Sequence, residues 1–60
     1  MLSPEGIESF AREFIRVHQE DGLNDREINQ AALYYPPFAV EDGDLPEFQE
    51  AVANILWVSV

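Results

Sequence analysis

The chain has 60 residues, of which twelve are Asp or Glu and three are Arg, giving a formal charge of −9 with His18 neutral. That length allows one domain with a thin core, and the absence of cysteine removes disulfides and thiolate metal sites. Three cations against twelve carboxylates argue against direct binding to nucleic acid or to an anionic membrane surface, both of which need the opposite sign.

A charge this high favours disorder, but 47% apolar content with seven aromatics supplies enough to bury. The pattern is all-α: one domain, 1–60, of three short helices over 3–21, 24–35 and 44–57, with no internal repeat. In the first helix Ser3 is the N-cap, Pro4 takes the first helical position, and Leu2 with Ile7 forms a hydrophobic staple. Ile7, Phe10, Ala11, Phe14 and Ile15 then follow i, i+3, i+4, i+7 spacing, with His18 next in the series. Glu8, Arg12, Glu13, Arg16 and Glu20 take the other face, and Gly22 is the stop.

The second helix begins with Asn24 as cap, Glu27 completing a capping box, and Leu23 with Ile28 as a second staple. Its stripe is Ile28, Ala31, Ala32 and Tyr35, widened by Leu33 and Tyr34. Pro36-Pro37 ends it, because a residue before proline avoids the α region. The segment 36–43 reads as a loop in which Phe38 and Val40 tuck onto the helices. The third helix begins at Asp44 as cap with Glu47 three residues on, and its stripe is Leu45, Phe48, Ala51, Val52, Ile55 and Leu56. Its end is ambiguous, since Trp57, Val58 and Val60 favour strand; helix to about Trp57 is the reading adopted.

The carboxyl-terminal run is the most informative feature. Residues 55–58 are unbrokenly apolar, which one helix cannot bury on one side. The expectation is a homodimer that buries Ile55, Leu56, Trp57, Val58 and Val60; the competing reading folds this tail over the chain's own core. The run Tyr34-Tyr35-Pro36-Pro37-Phe38 reads first as a rigid turn whose aromatics plug the edge of a small core. The alternative reading is a docking element, since aromatics are common interface anchors. With the acids around it, the candidate partner-binding set is Tyr34, Tyr35, Phe38, Glu41, Asp42, Asp44 and Glu47.

Chemistry is thinly represented. His18 is the one histidine, but without an oriented partner and a nucleophile it reads as a residue of the last turn of the first helix, where a cation suits the carbonyl end of the dipole. Glu20-Asp21 and 41–44 miss the alternating ligand spacing of a calcium loop and read as turn and cap chemistry. The expectation is therefore no enzyme, no cofactor and no metal. The carboxylates crowd the two helix junctions, more than capping needs, and surface carboxylates can imitate duplex phosphates.

Three functional classes follow. The first is a small acidic interaction module that regulates or inhibits a protein partner with a basic surface. The second is a DNA-mimicking inhibitor of a nucleic-acid-binding protein, and the third is a structural subunit of a larger assembly. Short, acidic, cysteine-free helical chains of this kind resemble the accessory proteins encoded by bacteriophages and other mobile elements; the resemblance is one of type, carried by length and composition. No basic segment precedes an apolar one at the N-terminus, and 51–60 is half a membrane span, so a soluble cytoplasmic protein is expected. Met1 with a cap two residues later reads as the start of a complete small gene product.

Overall fold

The computed structural model describes residues 2–57, and among these it contains three α-helices and no strand. They are α1 (Pro4–Glu20), α2 (Asp25–Tyr34) and α3 (Leu45–Trp57), with a single 3-10 turn, Asp42–Asp44, leading into α3. The predicted spans match once their capping residues are set aside. Val58 and Val60, assigned above to a dimer interface, lie outside the described residues.

The first two helix starts form as their sequences dictate. The Ser3 hydroxyl accepts from the Gly6 N–H at 3.0 Å. At α2 the Asn24 side chain accepts from the Glu27 N–H at 2.9 Å while Glu27 accepts from the Asn24 N–H at 3.0 Å, which closes the capping box. Between them the chain turns on Gly22, whose φ of 91° is open to glycine and strained for other residues. The Leu23 N–H donates to the His18 carbonyl and the Gly22 N–H to that of Gln19, a Schellman closure of α1.

The start of α3 departs from expectation. Asp44 was assigned as its N-cap, but the extended residue preceding the helical run is Glu41, with φ −72° and ψ 155°, because the 3-10 turn passes into α3 without a break. Asp44 is only 3% exposed, and its carboxylate instead accepts from the Leu2 N–H at 3.1 Å, tying the amino-terminal segment to the start of α3. Trp57, at the other end of α3, lies beside Asn24 and Arg26. So α1 and α3 run in the same general direction and α2 runs back between their ends.

Helix α3 packs chiefly on α1 and less extensively on α2. The core holds Ile7, Ala11, Phe14 and Ile15 of α1, Ile28 and Ala32 of α2, and Phe48 and Val52 of α3, closed by Val40. Phe48 is its centre, meeting Phe14 and Phe10 edge-on at centroid distances of 5.3 and 6.2 Å. Edge-to-face pairs of this kind add roughly 0.5–1.5 kcal/mol beyond the area they bury. The molecule measures 30 × 24 × 15 Å. Its thinnest dimension is close to the ~10–12 Å diameter of one helix, so side chains that leave the inner faces meet solvent and not a second layer.

Candidate docking surface

The link from α2 to α3 places its apolar residues on the outside. Tyr35 precedes a proline, which bars it from the α region; it sits at φ −134°, ψ 56°, and its N–H donates to the Ala31 carbonyl at 2.8 Å as the helix ends. Its side chain therefore leaves the α2 stripe to which it was assigned and stands 81% exposed, with Tyr34 at 73%. The Val40 N–H then donates to the Pro37 carbonyl at 3.1 Å, a turn with Phe38 and Ala39 at its corners. Corner residues face out and flanking residues face in: Phe38 is fully exposed, and Val40 closes the core. The prediction for Val40 holds. Phe38 does not tuck onto the helices, and the aromatic run is not a plug for the core edge.

These side chains border two grooves that share Tyr35 and Pro37. One, of about 340 Å³, is walled on the α1 side by Phe10, Phe14, Val17 and His18, and Glu13 is its one carboxylate. The other, of about 780 Å³, runs from Tyr34 past Phe38 to Val40 and Leu45, and is edged by Glu41 and Asp42. No arginine lines either groove. His18 is half-buried in the wall of the first groove; its Nδ1–H donates to the Phe14 carbonyl at 2.8 Å and its ring lies on Phe14 at 4.2 Å. The carbonyl only accepts, which fixes the proton on Nδ1.

Of the seven residues assigned to partner binding, Tyr34, Tyr35, Phe38, Glu41 and Asp42 therefore lie together. Asp44 is withdrawn from the surface by its bond to Leu2. Glu47 lies apart, with Glu50, on a separate opening between α3 and the Pro4–Arg12 side of α1. The α1 wall was missed, because Phe10 and Phe14 read as core alone. The available signal was Val17, which follows Phe10 and Phe14 at i+7 and i+3, widens the α1 stripe on that edge and is exposed in the structure.

The arginines are held elsewhere. Arg12 pairs with Glu8 at 2.6 Å, and Arg16 with Glu13 at 2.6 Å and Glu20 at 3.0 Å, all along the outer side of α1. Hydrogen bonding to Glu13, then the charges of Glu13 and Glu20, raise the Arg16 pKa above its ordinary value. Arg26 lies beside Trp57, which is half exposed, while Ile55 and Leu56 are partly buried against the core. Among the described residues no group of three or more His, Asp or Glu side chains is placed to hold a metal ion, and no helix is long and apolar enough to cross a membrane. The chain matches no family model, no curated protein and no solved structure.

Proposed function

We propose that this protein is a small acidic interaction module that regulates or inhibits a protein partner in the cytoplasm through the surface formed by Tyr34, Tyr35 and Phe38 with Glu41 and Asp42, without catalysing a reaction. The observation that carries this reading is the exposure of three large aromatics on one face of a chain short of core residues. Exposed aromatics clustered in a groove are the usual anchors of interfaces, and a small domain gains nothing in stability from leaving them in water.

The test is capture from the native host's lysate by the wild-type chain and by the doubly substituted Tyr35→Ser/Phe38→Ser chain, with a photo-crosslinker at position 38. The reading expects a partner that cross-links from position 38 and is lost with the double substitution. Identical capture by both chains would refute it. Salt separates this reading from DNA mimicry: at 0.5 M the Debye length is about 4 Å, so binding through carboxylates alone collapses while aromatic docking persists.

A second reading rests on Trp57. Its half-exposed indole supports self-association through Ile55, Leu56 and Trp57, with Val58 and Val60 assigned to the same patch from sequence. Sedimentation equilibrium at micromolar concentration tests it: a dimer that Trp57→Ala converts to monomer is expected, and a wild-type monomer would contradict it.

A further inference from the structure

We infer that the groove between α1 and α3 is a further docking surface, and that it takes a basic amphipathic helix of a partner protein: aliphatic side chains seated on Ala51 and Ile55 above Ile7, with arginine or lysine facing Glu47 and Glu50. The inference goes beyond the aromatic surface and shares no residue with it.

The shape of the opening selects a helix. It is a single groove of about 570 Å³, and no residue of α2 lines it. On α3 the lining falls at positions 47, 50, 51, 54 and 55, and on α1 at 4, 7, 8 and 12. Both sets follow the i, i+3, i+4 spacing of one helical stripe, so two helices running the same way offer a trough about two turns long. A third helix laid in such a trough sets its side chains between the rows of the other two. Ala51 and Ile55 are only partly buried by the chain's own core, and a helix seated there covers the rest.

Charge selects a basic helix. Three carboxylates and one guanidinium stand on the rim. Arg12 is already bonded to Glu8 at 2.6 Å, which leaves Glu47 and Glu50 without an ion-pair partner among the described residues. Glu47, in the first turn of α3, gains from the helix dipole. Glu50 stands one turn further on, where that gain has faded, and repels Glu47 across the i, i+3 spacing. A cation placed between the two relieves that repulsion, and the excess of nine negative charges on the chain draws it in. A second copy of this chain is a poor occupant: it carries the same excess, it has no lysine, and Arg12 and Arg16 are paired along α1. The three residues after Trp57 bring no cationic side chain. An acidic or purely polar helix leaves Ala51 and Ile55 in water, and a purely aliphatic one leaves Glu47 and Glu50 unanswered.

The experiment selects binders from a displayed library of helix-forming peptides about sixteen residues long against the immobilised full chain, and measures each synthesised winner by fluorescence anisotropy. The inference expects winners with aliphatic residues at i, i+3 or i, i+4 spacing and arginine or lysine beside them. Their affinity falls about fivefold on the Glu47→Gln/Glu50→Gln chain, the loss of two exposed ion pairs, and at least about tenfold when one aliphatic residue of the peptide becomes serine. It is unchanged on the Tyr35→Ser/Phe38→Ser chain. Both glutamates are exposed, so the double glutamine chain keeps the wild-type circular dichroism spectrum. Amide shift changes in the ¹⁵N-labelled chain centre on Glu8, Glu50, Ala51 and Ile55. Winners that are neutral or acidic, affinity indifferent to the double glutamine substitution, or shifts centred on Tyr35 and Phe38 would each overturn it. The last of these would leave the aromatic surface standing, whereas lysate capture indifferent to Tyr35 and Phe38 would remove that surface and leave this groove untouched.

Discussion

The two links between helices handle the same problem in opposite ways. The link from α1 to α2 is short and polar, and its groups answer one another: a glycine at positive φ, a Schellman closure behind it and a reciprocal capping box ahead of it. The link from α2 to α3 is longer and holds two prolines and two exposed aromatics, Tyr35 and Phe38, next to the exposed Tyr34 that ends α2, with Val40 and Asp44 turned inward. The first link is built for folding. The second places more apolar area in water than folding requires, and in a chain this small that surplus is the strongest pointer to function.

The comparison can be broken at its foundation first. Phe48 is the fully buried centre of the core that both links serve, and Phe48→Ala should cost about 3–5 kcal/mol, enough to leave the chain largely unfolded in a urea titration. Asp44 belongs to the second link by sequence but acts for folding. Asp44→Ala removes the acceptor of the Leu2 N–H and should cost about 1–3 kcal/mol, read as a lowered urea midpoint without loss of partner binding at the aromatic face. In the first link, Asn24→Ala and Gly22→Ala should each cost about 1 kcal/mol, which for a domain of this size lowers Tm by roughly 4–8 °C. Smallest of all, Glu8→Gln should change stability by no more than about 0.5 kcal/mol, because the Glu8–Arg12 pair is exposed.

What the sequence made legible follows the same division. Wherever a backbone requirement and a side-chain pattern agree, the prediction is met: Ser3, Asn24 with Glu27, and Gly22 each mark a helix end, and the apolar spacing of α1 picks out its buried face. The second link was harder to read because apolar character there does not report burial. Tyr35 continues the α2 stripe in register, but the following proline rotates it out of the helix, and Phe38 faces outward because it occupies a turn corner. Asp44 failed as a cap for a related reason, since the 3-10 turn moved the extended residue back to Glu41 and freed the Asp44 carboxylate to reach Leu2. Both results depend on local backbone geometry that residue type alone does not specify. The α1 wall of the groove was invisible because Phe10 and Phe14 serve the core and the surface at once.

The central claim is that the aromatics of the second link are surplus to folding. The unfolding free energy of the Tyr35→Ser/Phe38→Ser chain, set against wild type, tests it most directly. Held outside the core, the pair should change stability by no more than about 0.5 kcal/mol per site. A loss of about 3 kcal/mol or more, the cost of emptying a packed core position, would show that these rings hold the fold together and would remove the case for a docking surface.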